Sequence, residues 1–404
     1  MKREHSVSDH LAGEFDESRL QSWATQLRAQ LEAPRVSLGL VFMTPHYFDK
    51  SAQALELIRL HAQVPLLVGC SGSSLIAGRR ELEDEPGISV ALYALPGAQL
   101  KPFRFTQEQV EEANGPGYWH HETGVLPDQA SGWLAFADPF HLDCEAWVRS
   151  WSEAYPTLPI FGGLASGNFT AQSTQLYLNG DAFEEGGVAL AVGGDVELRG
   201  VISQGCTPIG DTWTITRAEH NFIQEIGNRP AYQMLAETFN QLSAVEQKKC
   251  QGNLFIGLVV NEYLEDYHRG DFLVRNLISA DPQSGVLAVG ALPRLGQTMQ
   301  FQRRDAEAAD EDMRELLGRA KARLSGRTIY GGCLCSCNGR GAGLFGKPDH
   351  DAALVQETLG PFGLAGFFCN GEIGPIGDRI FLHGYTASLA LFVKQEKSVG
   401  RDSG

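Results

Sequence analysis

Val36-Ser37-Leu38-Gly39-Leu40-Val41-Phe42-Met43, a helical interval, then Val64-Pro65-Leu66-Leu67-Val68-Gly69: this phrase decides the fold. Its outer runs are short, apolar and rich in β-branched residues, as buried strands are. Between them Phe48, Ala52, Leu55 and Ile58 fall on one face of a helix. Two strands joined by one helix form a parallel pair with a right-handed crossover. The phrase then returns. Leu40, Phe42, Pro45, Pro65 and Gly69 recur at one constant offset as Leu134, Phe136, Pro139, Pro159 and Gly163. A further strand-like run closes each unit, 88–95 in the first and 187–192 in the second. Residues 35–230 therefore read as two related α/β units, about 35–100 and 131–195, sharing a core.

Upstream, residues 1–34 read as a disordered polar tail (1–17) followed by an edge helix over 18–31. Ser18 is its N-cap candidate, and Leu20, Trp23, Leu27 and Leu31 form its apolar face. Downstream, 231–395 reads as a second domain with a mixed sheet. Helices are expected over 231–242, 305–324 and 351–359. Strands are expected over 254–260, 272–278, 285–291, 298–302, 328–334, 364–368, 380–382 and 388–393. Residues 396–404 read as a loose tail. The class is α/β, in the broad sense of mixed α+β, with an N-terminal tandem pseudo-repeat and a C-terminal mixed-sheet domain.

Bulk composition narrows the function. A chain of 404 residues exceeds one ordinary core, and 43% hydrophobic residues suffice for packed interiors. The net charge of −16 disfavours nucleic acid and anionic membranes, because phosphate binding needs a basic footprint. No apolar run approaches the ~20 residues of a membrane helix. Met1-Lys2-Arg3-Glu4-His5 is charged and has no apolar segment behind it, so a secretory signal is not expected and a cytoplasmic location is. The eight cysteines lie mostly in apolar segments and read as reduced thiols.

The chemistry concentrates at two near-identical turns. Cys337-Asn338-Gly339-Arg340-Gly341 and Cys369-Asn370-Gly371-Glu372-Ile373-Gly374 each follow a strand-like run. Asn and Gly tolerate positive φ, so each reads as a strand ending in a sharp turn. Arg340 and Glu372 either pair with one another or both face a ligand. In the second case a guanidinium and a carboxylate suit a zwitterion such as an amino acid. Cys333, Cys335 and Cys337 alternate along one strand face. The first two read as small buried hydrophobes, whereas Cys337 sits at a strand end beside a cation that favours its thiolate. No metal knuckle accompanies them. Gly69-Cys70-Ser71-Gly72-Ser73-Ser74 has small residues that suit close backbone approach to a bound group, but it does not spell a nucleophile elbow. Gly341-Ala342-Gly343-Leu344-Phe345-Gly346 matches a dinucleotide fingerprint, yet Pro348 interrupts the helix that should follow, and it reads as a Gly-rich turn. The histidines are scattered, apart from His120 and His121. A haem needs only one proximal His, so haem stays open. No nucleophile–base pair is legible, and no enzyme is expected.

The two turns, the segment 366–375, the stretch Leu382-His383-Gly384-Tyr385-Thr386-Ala387-Ser388-Leu389 and Asp271-Phe272-Leu273-Val274-Arg275-Asn276-Leu277 resemble the C-terminal FIST domain. Val64-Pro65-Leu66-Leu67-Val68-Gly69-Cys70-Ser71-Gly72 resembles the N-terminal FIST domain, and the likeness spans about 35–390. The resemblance implies a bacterial sensory module for a small ligand, with amino acids among the proposed ligands. One branch of the family is described as haem-binding nitric oxide sensors. Another is fused to an F-box and carries a reactive cysteine at the position matching Cys337. The expected ligand site is Cys337, Asn338, Arg340, Cys369, Asn370 and Glu372, roofed by Gly69, Cys70 and Ser71. The expected output is a signalling partner such as a histidine kinase. No cofactor is expected, haem being the alternative. A ligand-free interaction scaffold is the remaining reading.

Overall fold

The computed structural model describes residues 4–396 and is a mixed α+β structure. Contacts divide it into two compact units. One holds the chain up to Val201 and again from Leu317, and the other is Ile202–Leu316. This division differs from the two-part sequence reading for a plain reason. Strand Leu364–Cys369 pairs with Leu75–Ala77, and strand Gly371–Ile376 pairs with Ile160–Leu164, so hydrogen bonds tie the C-terminal segment to the N-terminal one.

The first unit contains three copies of the phrase, not two. The parallel pairs are Leu38–Met43 with Leu67–Ser71, Gly132–Ala137 with Ile160–Leu164, and Ile329–Cys337 with Leu364–Cys369. Helices Ser51–His61, Cys144–Ala154 and His350–Leu359 lie between the strands of each pair. The closing strands Gly87–Tyr93, Gly187–Gly194 and Ala387–Lys394 run antiparallel to the first strand of each copy. The three resulting sheets have six strands each, in the same order. Each copy also lends a hairpin to another. That of copy one (Leu75–Ala77, Arg80–Leu82) joins the sheet of copy three. That of copy two (Leu176–Leu178, Asp181–Phe183) joins copy one, and that of copy three (Gly371–Ile376, Arg379–His383) joins copy two.

Register shows which residues are equivalent. Val41 faces Gly69, Ala135 faces Gly162 and Leu334 faces Gly366. A Cβ on any of these glycines would lie 1.7, 1.8 or 1.8 Å from the facing carbonyl oxygen, so only glycine permits the approach. The last two matches of the sequence echo therefore slip by one residue: Gly69 corresponds to Gly162, not Gly163. One position further on, Phe42 faces Cys70, Phe136 faces Gly163 and Cys335 faces Phe367. Each pair supplies one ring and one small residue. The three rings meet, with centroids 5.4, 5.0 and 5.8 Å apart, and fill the centre where the copies join.

Locally, most expected elements are present. The edge helix is Glu17–Gln30, capped by Asp16, whose side chain accepts from Arg19 N; the Ser18 cap is corrected accordingly. Leu20, Trp23, Leu27 and Leu31 are buried. Helix Ser51–His61 buries Ala54 with Leu55 and Ile58, and Ala52 faces solvent. The polar start is ordered: Ser6–Ala12 is a strand paired with Gly87–Tyr93. Its serines find partners there, Ser6 Oγ accepting from Gly363 N and Ser8 Oγ from Leu364 N. Residues 1–3 and 397–404, expected to be loose, lie outside the described residues.

The second unit is an antiparallel barrel. Thr207–Glu219, Thr298–Arg303, Leu254–Val259, Phe272–Ala280, Leu287–Val289 and Phe222–Ile226 pair in that order, and the last pairs back to the first. Ile215 with Ile226 and Glu219 with Phe222 close the ring. Ile209, Ile215, Ile256, Met299 and Phe301 fill its core with Met234 and Leu235 of helix Ala231–Gln241.

Candidate functional site

The third copy breaks the repeat where the chemistry is. Leu75 faces Phe367 and Leu176 faces Cys70 across lent hairpins, and the equivalent pair is Glu372 with Gly163. Leu75, Leu176 and Glu372 are all 0% exposed. A carboxylate thus occupies a core position that two copies give to leucine. Such burial disfavours the charged form. The Glu372 carboxyl is pushed up to about 7 by burial, opposed by the Cys369 thiol, the Thr386 N–H, the Arg340 charge and the Cys337 thiol. Cys369 Sγ donates to Oε1 at 3.1 Å, and Thr386 N donates to Oε2 at 2.9 Å.

Over Glu372 lie the two Cys-Asn-Gly turns, which the parallel register sets side by side, Cys337 against Cys369. Cys337 is half-buried, and its Sγ accepts from Tyr385 N at 3.2 Å and Gly339 N at 3.4 Å. Asn338 and Asn370 are exposed, and Asn338 Nδ2 donates to Asn370 Oδ1 at 2.9 Å. Ser73 Oγ donates to Asn338 Oδ1 at 2.7 Å, and Asn370 Nδ2 to Ala165 O at 3.0 Å. All three copies thereby contribute to one polar rim. Tyr385 has φ +62°, a left-handed conformation uncommon outside glycine. The strained turn supplies both Tyr385 N to Cys337 and Thr386 N to Glu372.

Cys337, Asn338, Cys369, Asn370 and Glu372 therefore come together. Arg340 does not join them, nor does it pair with Glu372. It is 2% exposed and grips Asp351 through Nε at 2.6 Å and Nη2 at 2.9 Å. Ser336 Oγ and His350 Nδ1 complete the Asp351 carboxylate at 3.0 and 2.9 Å. Burial alone would raise the Asp351 carboxyl, but the Arg340 charge and these hydrogen bonds hold it well below the usual carboxylate range. Gly69, Cys70 and Ser71 belong to a buried strand. Cys70 is a core thiol pushed well up by burial, and Ser71 Oγ donates to Ser166 O at 2.8 Å. The residue of that loop that reaches the rim is Ser73. Ser73 lies in the small-residue loop 69–74 that the sequence singles out, and Tyr385 and Thr386 lie in the stretch 382–389 that resembles the FIST C-terminal domain, although none was expected as a site residue; nothing in the sequence pointed to Ser166. The Gly-rich stretch forms a one-turn helix, Gly341–Phe345.

Among the described residues no group of three or more His, Cys, Asp or Glu side chains is arranged to hold a metal ion, and no helix is long and apolar enough to cross a membrane. Haem iron is held by His, Cys, Met or Tyr side chains. Two histidines lie near the site. His350 stacks on Phe345 at 3.4 Å between centroids and bonds Asp351, and His383 Nε2 bonds Gly374 O at 3.0 Å. A groove of about 680 Å³ elsewhere in the first unit is lined by His5, Asp195, Tyr330, Lys394 and Glu396 among others.

The FIST N domain matches residues 37–229 and the FIST C domain residues 231–375. The chain belongs to the FIST family. FIST domains are generally sensory domains for small ligands and are associated with signalling proteins. An uncharacterized protein of Mycobacterium bovis is 38% identical over 374 residues, covering 92% of this chain and 94% of its own. An uncharacterized protein of Mycobacterium tuberculosis is 36% identical over 372 residues, covering 92% and 94%. Among solved structures, a cyanuric acid hydrolase from A. caulinodans aligns over 97% of this chain and 100% of its own, with 8% identity and a TM-score of 0.35.

Proposed function

We propose that this FIST protein is a bacterial cytoplasmic sensor that binds a small amine-bearing molecule, an amino acid being the leading candidate. Binding is sited at the rim of Asn338, Asn370, Ser73 and Cys337 above Glu372. The observation that carries this reading is Glu372 itself, a buried carboxyl in a position that two equivalent copies fill with leucine. A buried acid that serves packing alone is costly compared with leucine, so its retention fits a task. A ligand ammonium adds a counter-charge to that of Arg340 and favours the ionised form, while the asparagine amides accept or donate to the rest of the molecule. Glu372 is covered by Cys337 and the Gly384-Tyr385 turn, so entry requires that turn to move. Its strain at Tyr385 makes it the element whose two positions a ligand can bias, and a partner such as a histidine kinase or another output module reads the shift.

Calorimetric titration with the standard amino acids tests this directly. Saturable binding of one class is expected, weakened at least tenfold in Glu372→Gln and in Asn338→Ala. Equal affinity in both variants contradicts the siting.

A further inference from the structure

Cys337 and Cys369 stand at paired register positions of parallel strands, each as the last residue of its strand. Side chains paired in this way leave the sheet on the same side. Neighbouring strands are about 4.8 Å apart, inside the Cα separation of about 4.4–6.8 Å that a disulfide spans. A terminal strand position also adjusts more easily than a central one. Glu372 accepts from Cys369 Sγ at 3.1 Å, and the Cys337 thiol is near enough to lower its carboxyl. The two thiols differ in access, Cys337 being half-buried and Cys369 fully buried. The Cys337 sulfur also receives two backbone N–H groups, from Tyr385 and Gly339, which favour a developing thiolate. An accessible thiol with anion-stabilising donors, a buried thiol in register and a carboxylate bonded to the buried one make up the parts of a two-thiol redox centre.

We propose that Cys337 and Cys369 are a peroxide-reactive pair, in which a hydroperoxide converts the two thiols to a Cys337–Cys369 disulfide. Glu372 first takes the Cys337 proton. The thiolate sulfur attacks the terminal peroxide oxygen; the S–O bond forms, the O–O bond breaks, and the departing alkoxide collects the proton from Glu372 as an alcohol. Cys337 is now a sulfenic acid, oxidised by two electrons, and the peroxide is reduced by two. Glu372 next takes the Cys369 proton, and the Cys369 sulfur attacks Cys337 Sγ. The S–S bond forms, the S–O bond breaks, and hydroxide leaves with that proton as water. Two thiols and one hydroperoxide yield one disulfide, one alcohol and one water. The disulfide would tie the two Asn turns together beneath the rim. The reaction needs no ligand, so it stands or falls separately from the sensor reading.

The test treats the reduced full-length chain with equimolar hydrogen peroxide, followed by intact mass and non-reducing peptide mapping. The expected result is loss of two hydrogen masses and one linked peptide pair containing Cys337 and Cys369. Cys369→Ser and, as a second substitution, Cys369→Ala should stop at a Cys337 sulfenic acid captured by a cyclic dione. Glu372→Gln should slow disulfide closure about a hundredfold. The proposal is overturned if wild-type protein keeps both thiols open to alkylation, if Cys337 advances to sulfinic acid without a disulfide, or if the linked pair involves a different cysteine.

Discussion

Glu372 has the raised carboxyl at the centre of the site, and its pH behaviour follows from that. Its ordinary value is 4.5, and in the folded chain it lies at about 7. Between those values the folded state holds a proton that the unfolded state has released, so stability falls as pH rises through that window. Above it the cost is complete, about 3 kcal/mol. Glu372→Gln mimics the protonated acid. It should match wild type within about 1 kcal/mol near pH 5 and be more stable by up to about 3 kcal/mol near pH 8, in denaturant melts at both values. An equal difference at both pH values would refute a raised Glu372 carboxyl. The Cys-Asn-Gly turns were legible because Asn and Gly announce positive φ. The fate of Arg340 was not. Its partner Asp351 lies eleven residues on, at the start of a helix, and looks like any acidic first-turn residue until the fold brings the two together. Burial of Glu372 was equally hidden, because a Glu beside a turn reads as solvated.

At the level of elements, apolar runs placed the main strands of all three copies, and the parallel pairs of the first two followed from strand–helix–strand order, whereas the third copy was not legible as a repeat. Short hairpins such as Arg80–Leu82 and Asp181–Phe183 escaped because three residues carry no period. The strand Ser6–Ala12 escaped because its stabilisation is borrowed. Its serines bond a backbone more than three hundred and fifty residues away in sequence. The three close-approach glycines make a test specific to this architecture. Gly366→Ala would set a Cβ 1.8 Å from Leu334 O, against backbone that cannot swing aside. A loss on the order of 4 kcal/mol or more is expected in thermal or denaturant unfolding. Gly343, in the helix Gly341–Phe345, has nothing within 4 Å of an added Cβ. Gly343→Ala should leave stability unchanged or raise it by about 0.5–1 kcal/mol. Comparable behaviour of the two variants would contradict the strand contact.

Across the whole molecule, the repeat is what gives the site its meaning. Copies one and two are close enough in sequence to echo. Copy three is not: the barrel 202–316 precedes its first strand, and Cys335 replaces the phenylalanine of Phe42 and Phe136. Where copy three diverges most, at Cys337, Glu372 and the Tyr385 turn, it carries the groups that can recognise something. The most direct measurement is native mass spectrometry of freshly purified chain beside its Glu372→Gln variant, with absorption spectra of both. A colourless excess mass on wild type, reduced or absent on the variant, is the expected result and weighs the ligand. An excess mass equally present on both, or one that matches haem and brings a Soret band, would contradict an amine-bearing ligand held over Glu372.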